Sequence, residues 1–537
     1  MPSTYSYPGV YVEEIPSGVR TITGVSTSNT AFVGFFAKGP VDEAVRITSF
    51  GDFERRFGGL DPRSEASYAV RQYFLNGGSV AWVIRVTASN AQAAGRTLQG
   101  GAYEALDVLT VTAASEGAWG NNVEVAIDQN VRASGVGSEF NLVVREVIRS
   151  GSTVEVVSQE VFRNLSVNTA SSRYAEDAVN EDSALVRIEL LSAGELPAPT
   201  GTDVVENAVD ADFRALGAGG GTVGSDGFEP SSDNWINSEG AAAMRGSASA
   251  KSGIYALDTI APEVFNLLCF PGAPYLSDQG AGVYGEAVTY CEGRRAFLIA
   301  DIPSTVDTPT EMLGWMQTMS LQTRNAAVYF PRLTLADPLN ENRSRNVSVS
   351  GTMAGIYART DATRGIWKAP AGTEAVIRGA DLAVRITDLE NGALNPRGIN
   401  ALRSFPVYGR ISWGARTLRG DDQLADEYKY IPVRRLALYI EESLFQGLQW
   451  VVFEPNDEPL WAQVRLNAGA FMNNLFRQSA FQGTSPREAY FVKCDRETTT
   501  QNDIDRGIVN IIIGFAPLKP AEFVVIKIQQ IAGQIAA

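Results

Sequence analysis

The chain has 537 residues, too many for one ordinary hydrophobic core, and this length predicts two to four domains. Its formal net charge of −16 disfavours a nucleic-acid coat, because such a protein needs a positive field to neutralise phosphates. The sequence contains no histidine, the side chain most often used for general acid–base catalysis near neutral pH and the commonest zinc ligand.

Three widely spaced cysteines (Cys269, Cys291, Cys494) include no CxxC pair. This pattern fits neither a disulfide framework nor a zinc site, and it indicates assembly in a reducing cytoplasm. The N-terminus lacks the basic start and apolar core of a signal peptide, and no apolar run approaches the roughly 18–20 residues that span a bilayer. We therefore expect no cofactor, no metal and no membrane insertion.

Residues 1–20 predict an isolated strand at the N-terminus. Val10 and Val12 would point to one side and Tyr11 to the other, between two Pro/Gly breaks. A strand this short cannot be stable alone, so it must pair with another strand. Residues 21–90 then predict a strand, a helix and a strand, the first part of an α/β core, at residues 30–36, 65–75 and 81–86.

Residues 91–245 predict a β-rich insertion, because short strand-like runs alternate with Gly, Ser and Asn turns. The clearest runs lie at residues 108–111, 123–127, 140–144 and 185–190. We interpret the Gly-rich stretch at 217–227 as a flexible return linker. Between Tyr174 and Glu239 there are fourteen acidic residues and two arginines, which indicates either an ordinary solvated face or an acidic outer module.

Residues 246–515 predict the main part of the core. Largely apolar runs at 264–270, 296–300 and 326–330 are typical of strands covered on both faces. Helices are predicted at Gly282–Arg294, at Pro309–Leu321, at Val433–Trp450 and from Trp461 to Leu475.

Residues 516–537 predict a second terminal strand beyond the bend at Pro517 and Pro520. Alternate side chains would lie on opposite faces of this strand. One face would carry Val524, Ile526 and Ile528, and the other would carry Phe523 and Val525. The chain would then carry an unpaired strand in both tails.

Two groups of residues could carry chemistry. Gly219, Gly221 and Gly224 have the GxGxxG spacing, but dinucleotide binding needs a strand before and a helix after this motif, so a linker is favoured. Neighbouring carboxylates such as Glu441 and Glu442 could flank a glycosidic bond, although solvated helix faces are favoured. A soluble α/β enzyme, glycoside-active or nucleotide-binding, is therefore the less favoured alternative.

The Arg-rich stretch from Arg397 to Arg419 has aromatic residues interleaved. A nucleic-acid groove and an ion-paired protein interface both fit this pattern, and the acidic charge of the whole chain favours the second.

The order of several segments resembles the contractile tail sheath proteins of myophages, R-type bacteriocins and extracellular contractile injection systems. The N-terminal segments are YPGVYVEEIPSG (7–18) and FLNGGSVAWVIRV (74–86). The C-terminal segments are more specific: SGTMAGIYARTDATRGIWKAPAG (350–372), ALNPRGINALRSF (393–405), WGARTL (413–418), YKYIPVRRL (428–436), WVVFEPNDEPLW (450–461) and APLKPAEFVVIKIQQ (516–530).

This resemblance implies an α/β (α+β) core assembled from N- and C-terminal parts of the chain, with an inserted β-rich outer domain and terminal strand arms. The implied division is an N-terminal arm (1–20), core (21–90), surface insertion (91–245), main core (246–515) and a C-terminal arm (516–537). Six subunits would form each ring around an inner tube, and stacked rings would contract. No catalytic residue is implied.

The resemblance also implies the partners and the location. The partners would be further copies of the chain, the inner tail tube protein, and baseplate and tail terminator proteins, with no direct contact to nucleic acid. The chain would be made in the bacterial cytoplasm and would end in a virion tail or injection particle. The arms would pair with neighbouring subunits through Val10, Tyr11, Val12, Phe523, Val524, Val525, Ile526 and Ile528.

A helix of the C-terminal domain is implied to grip the tube. In the predicted helix Val433–Trp450 the apolar stripe would face the core. That leaves Arg434, Arg435, Glu441 and Glu442 on the opposite side, either as ordinary solvated charges or as the candidate tube-facing residues.

Overall fold

The structure is a computed structural model that describes residues 20–100, 106–151, 153–192 and 194–528. The chain divides into two compact units. One unit comprises residues 26–434, and the other comprises residues 1–25 together with 435–537. The sequence places a boundary near residue 516 and none at Arg435.

The helices and strands are as follows. The helices are α1 (Phe50–Phe57), α2 (Glu65–Asn76), α3 (Ala175–Asp182), α4 (Gly240–Arg245), α5 (Ala281–Arg294), α6 (Pro309–Met319), α7 (Ser350–Arg364), α8 (Asp388–Leu394), α9 (Ile431–Gly447), α10 (Glu458–Arg477), α11 (Pro486–Ala489) and α12 (Gln501–Asp505). The strands are β1 (Thr30–Gly34), β2 (Ala44–Ile47), β3 (Ala81–Arg85), β4 (Gly95–Gly100), β5 (Leu106–Ala113), β6 (Val123–Asp128), β7 (Glu139–Ser150), β8 (Thr153–Ser166), β9 (Val186–Leu190), β10 (Arg214–Ala215), β11 (Leu267–Cys269), β12 (Phe297–Ala300), β13 (Ala326–Phe330), β14 (Leu333–Asp337), β15 (Arg343–Val347), β16 (Asp381–Leu382), β17 (Asn400–Phe405), β18 (Gly409–Ser412), β19 (Tyr490–Lys493) and β20 (Ile512–Phe515).

An eight-stranded sheet forms the centre of the larger unit, in the order β18-β17-β13-β12-β11-β1-β3-β2. The six central strands are parallel, while β18 and β2 are antiparallel edges. Strand β1 lies between β3 and β11, so the sheet joins residues from both ends of the unit. The predicted α/β core built from N- and C-terminal parts of the chain is confirmed.

Helices cover both faces of this sheet, which explains why its strands are apolar throughout. On one face, side chains of α5 and α6 such as Tyr284 and Met312 pack in one buried cluster with Leu298 of β12. On the other face, Tyr73 of α2 packs against Phe32 with ring centroids 5.6 Å apart, and α7 contacts β11 and β12.

Helices α2 and α7 approach each other at two glycines of α7. A Cβ atom on Gly351 would lie 2.1 Å from the Ala69 carbonyl oxygen, and one on Gly355 would lie 2.5 Å from that of Tyr73. Only glycine fits at these positions, because the neighbouring atoms belong to backbone and cannot rotate away. The contact holds the N-terminal part of the core against its C-terminal part.

Residues 95–215 build two further sheets, β4-β5-β9 and β10-β6-β7-β8. Their inner side chains form a hydrophobic cluster of their own, with Val125, Leu142 and Ile188 fully or almost fully buried. The Gly-rich stretch that follows is hydrogen-bonded rather than a free linker, because Thr222 and Gly95 exchange two backbone hydrogen bonds of 2.6 and 3.0 Å. The predicted flexible linker is wrong in this respect.

The smaller unit contains most of α9, together with α10 and the two-stranded sheet β19-β20. Leu460, Trp461, Val464 and Cys494 form its buried cluster. The start of α10 agrees with its sequence signals, because Asp457 is the residue before the helix and Pro459 lies in its first turn.

Candidate assembly interface

The C-terminal segment 521–528 is the most exposed apolar part of the described chain. Its five large side chains have exposures of 75% to 92%: Phe523, Val524, Val525, Ile526 and Ile528. The segment is irregular, so the predicted strand is not formed within one copy of the chain. Among the described residues no strand pairs with it, which is the state expected of an arm before assembly.

The N-terminal arm residues Val10, Tyr11 and Val12 lie outside the described residues. Their pairing with a neighbouring copy stays a prediction, as does the pairing of the C-terminal segment.

The sheet β19-β20 lies just before the C-terminal segment and consists of one antiparallel pair, Tyr490 to Lys493 against Ile512 to Phe515. In the described part of the chain no third strand pairs with it. A two-stranded sheet is marginally stable by itself, and its edges offer N–H and C=O groups to another strand. Phe491 and Ile512 are half exposed on it.

The sheet β19-β20 is not among the strands predicted from the sequence. Its strands are the four-residue runs Tyr490-Phe-Val-Lys and Ile512-Ile-Gly-Phe, which are short but bounded by turn-forming residues. Those runs are the signal that could have predicted the sheet.

The candidate tube-facing residues on α9 do not form one outward face. Arg435 is only 3% exposed and Glu442 only 8% exposed, so their placement on the solvent side is wrong. Arg434 donates from Nε to Asn325 Oδ1 at 2.9 Å, and its guanidinium lies 5.0 Å from the ring centre of Tyr428. Glu441 is exposed. The helix is buried on more than its predicted apolar stripe, because Ala437 and Leu438 are buried as well as Leu436 and Ile440.

Arginines of the stretch 397–419 form hydrogen bonds and ion pairs within the chain. Arg416 is fully buried and donates to the Gly420 carbonyl and to Asp422 at 3.1 and 3.0 Å. Arg419 donates to Asp426 at 2.8 Å. These ion pairs are internal, so the stretch is not a continuous basic groove.

A buried network of charged side chains lies at the carboxyl edge of the parallel strands. Arg332, which follows β13, donates to Glu65 at 2.9 Å, and the backbone N–H of Ser348 donates to the same carboxylate oxygen at 2.6 Å. Asp301, which follows β12, accepts the N–H groups of Val349 and Ser350 at the start of α7. Burial raises the pKa of both carboxyl groups, and Arg332 opposes that rise. The network is a structural clamp across the core.

A cavity of 470 Å³ lies beside this clamp, where α/β enzymes commonly bind ligands. Its charged lining residues are ion-paired within the chain, since Arg63 lies 2.7 Å from Asp61 and Arg345 lies 3.7 Å from Glu65. Aromatic and apolar side chains line the remainder, including Phe35, Trp235 and Tyr275.

The GxGxxG spacing does not lie between a strand and a helix. Gly221 sits beside the Leu216 carbonyl, and the next α-helix after it starts at Gly240. Among the residues that the structure describes, no group of three or more Cys, Asp or Glu side chains is placed to hold a metal ion. None of the described helices is long and apolar enough to cross a membrane.

Comparison with known proteins gives two family matches that cover more than half of the chain. Residues 241–418 match the phage tail sheath protein central domain, and residues 425–531 match the phage tail sheath C-terminal domain. The chain belongs to the phage tail sheath family. The resemblance inferred from the sequence motifs is thereby confirmed.

Curated and solved relatives agree with this assignment. The tail sheath protein of Vibrio phage KVP40 is 28% identical over 188 residues, which are 35% of this chain and 27% of that protein. The contracted PVC sheath complex of an extracellular contractile injection system is similar over 98% of both chains, with 22% identity and a TM-score of 0.56. The contracted helical sheath of the anti-feeding prophage (AFP) is similar over 98% of this chain and 100% of that chain, with 23% identity and a TM-score of 0.56. At these identities the two structures support the fold.

Proposed function

We propose that this chain is the structural subunit of a contractile tail sheath. It polymerises as stacked hexameric rings around an inner tube and contracts to drive that tube through a target cell envelope. The observation that carries the proposal is the pair of family matches at 241–418 and 425–531. The AFP and PVC relatives are described as sheaths in the contracted state, which supports the same function for this chain.

The exposed segment 521–528 is the proposed C-terminal arm. Five large apolar side chains at least three-quarters exposed are unfavourable in a monomer, and they become favourable when a neighbouring copy covers them. The arm adds a strand to a sheet edge of that neighbour. The favoured acceptor is the sheet β19-β20, because a sheet of only two strands is marginally stable and gains stability from a third. Residues 1–20 act in the same way as the N-terminal arm.

The proposed partners are further copies of the chain, the inner tube protein, the baseplate and the tail terminator. Glu441 and Arg434 stay as the candidate contacts with the tube, whereas burial removes Arg435 and Glu442 from that set. The insertion 91–245, with 23 acidic residues and nine arginines, lies on the outer surface of the particle. The particle is a virion tail or an injection machine assembled in a bacterial cytoplasm.

Truncation tests the proposal. Purified wild-type chain should form sheath-like tubes by negative-stain electron microscopy, because the arms of each copy find acceptors on its neighbours. A chain ending at Pro520 and a chain lacking residues 1–20 should each remain monomeric and melt cooperatively. A point control keeps the arm but replaces exposed Lys527 by Arg, and it should assemble normally. Tubes formed by either truncated chain would refute the role of that arm.

A further inference from the structure

A short segment that follows the N-terminal arm lies along helix α9 in the smaller unit. Residues 20–25 belong to this unit, and the chain passes to the larger unit after Val25. The segment is neither helix nor strand. The Val25 backbone N–H donates to Ser443 Oγ of α9 at 3.2 Å, and the Ile22 side chain is only 5% exposed. We name residues 20–25 the strap.

One face of α9 receives the strap. Tyr439, Ser443 and Gly447 follow one another at four-residue spacing, which places them on the same side of the helix. A Cβ atom on Gly447 would lie 2.5 Å from Ile22 Cγ2, and one on Gly24 would overlap the Tyr439 hydroxyl. A glycine on the strap and a glycine on the helix therefore allow the two to approach closely.

Two contacts fix the end of the strap that adjoins the arm. The Arg20 backbone N–H donates to Asn467 Oδ1 of α10 at 3.1 Å, and the Arg20 guanidinium lies 4.6 Å from the ring centre of Trp450. Asn467 is only 1% exposed, and its Nδ2 has no acceptor in the described part of the chain. A buried donor without an acceptor is unfavourable for folding, so the bond to Arg20 is what this amide contributes.

We propose that the strap fixes the point at which the N-terminal arm leaves the smaller unit, with Asn467 as a positioning residue. A strap that is ordered before assembly has no ordering cost left when the arm binds a neighbouring copy. If it were released, its six residues would lengthen the tether of the arm by up to roughly 20 Å. The effective concentration of the arm at its acceptor falls as the tether lengthens. The inference rests on the proposed sheath function and on the arm role of residues 1–20.

A pair of glycine variants tests whether the seat on α9 holds the strap. Gly447→Ala places a methyl group 3.1 Å from Ile22 Cβ, an atom that moves only with the strap backbone. Gly469→Ala in α10 is the matched control, because it makes the same change where no atom lies within 4 Å. Circular dichroism shows whether both variants are folded at the assay temperature.

Trypsin reports release of the strap. No Lys or Arg precedes Arg20, so cleavage after Arg20 frees residues 1–20 as one fragment that mass spectrometry can count. Below the concentration at which tubes form, Gly447→Ala should release this fragment about tenfold faster than wild type, because proteolysis follows the fraction of opened segment. Gly469→Ala should release it at the wild-type rate.

Assembly tests the consequence. The protein concentration needed for tubes, measured by sedimentation, should rise about tenfold for Gly447→Ala and stay unchanged for Gly469→Ala. Asn467→Leu should act like Gly447→Ala in both assays, because it removes the acceptor of the Arg20 N–H. Asn467→Asp keeps an oxygen at this position, so it should restore slow release and normal assembly.

Fast release together with normal assembly would overturn the proposal, because the arm would then need no fixed exit. Slow release in both Gly447→Ala and Asn467→Leu would overturn it as well, since the seat would not be what holds the strap. Either result leaves the sheath function standing if wild-type chain forms tubes. If wild-type chain forms no tubes, the sheath function fails and the role of the strap fails with it.

Discussion

We predict opposite effects on stability for a glycine-to-alanine change at two helix positions, one inside the close contact between α2 and α7 and one outside it. Replacing Gly351 by alanine places a methyl carbon 2.1 Å from the Ala69 carbonyl oxygen and 2.6 Å from its carbon. Both atoms are backbone, so the helices must separate by roughly 1 Å to restore ordinary contact distances. The same change at Gly314 in α6 meets no atom within 4 Å.

The magnitudes follow from two terms. Overpacking of a well-packed contact costs about 1–3 kcal/mol, and replacing a helical glycine by alanine contributes up to about 1 kcal/mol in favour of the helix. Gly351→Ala should therefore lower the free energy of unfolding by about 1–2 kcal/mol. Gly314→Ala should raise it by about 0.5–1 kcal/mol, because only the second term acts there.

Urea denaturation of the monomer, followed by tryptophan fluorescence, measures both effects. The signal is suitable because Trp82 and Trp315 are almost fully buried in the larger unit and become exposed on unfolding. Equal urea slopes would show that the variants differ in stability and not in the surface that unfolding exposes. A Gly351→Ala midpoint at or above that of wild type would refute the reasoning, and a destabilised Gly314→Ala would show that the propensity term is misjudged.

Three further predictions concern charges and the outer module. Arg435→Glu should lower the melting temperature because Arg435 is buried. Glu441→Lys should leave the melting temperature unchanged because Glu441 is exposed. If α9 grips the tube, Glu441→Lys should also make sheath–tube assembly more salt-sensitive. Glu65→Ala should destabilise the monomer by about 3–5 kcal/mol in urea, since it leaves Arg332 buried without its carboxylate. A loss well below this range would contradict the role of Glu65 as the charge partner of Arg332. A peptide tag inserted after Gly137 should be labelled by antibody on intact tubes, and protection there would contradict an outer position for the insertion.

The strands and helices of the core could be predicted because their signals are local and agree with one another. The apolar run at 326–330 becomes β13, and the segment predicted as helix at 65–75 becomes α2, within one residue of its end. Sequence motifs also predicted the family. The register and order of the sheet could not be predicted, because β1 finds its partners β3 and β11 through contacts separated by up to about 240 residues of chain.

The candidate site was predicted less well, and α9 shows why. A single apolar stripe on a helix predicts one buried side, but Arg435 and Glu442 are buried too because α9 is packed on more than one side. Helical periodicity contains no information on how many neighbours a helix has. The solvent-exposed ring of Phe453 could not be predicted either, because an isolated aromatic residue in a loop has no sequence pattern that separates an exposed side chain from a buried one.

The exposed C-terminal segment limits where the energy of contraction can reside. Covering its five large apolar side chains would contribute about 10 kcal/mol, at about 2 kcal/mol for each side chain. Ordering the eight residues 521–528 costs a comparable amount, about 8–16 kcal/mol of backbone conformational entropy. Because these terms nearly cancel, the inter-strand hydrogen bonds and the surfaces that meet alongside the arm decide whether it pairs. An arm for which these free-energy terms nearly cancel can stay paired while the contacts of the surfaces beside it change.

The core behaves differently, since the Glu65–Arg332 ion pair and the glycine contact between α2 and α7 tie residues 65–76 to residues 332–355. A change in length of the proposed polymer must therefore come from contacts between rigid cores rather than from deformation within them.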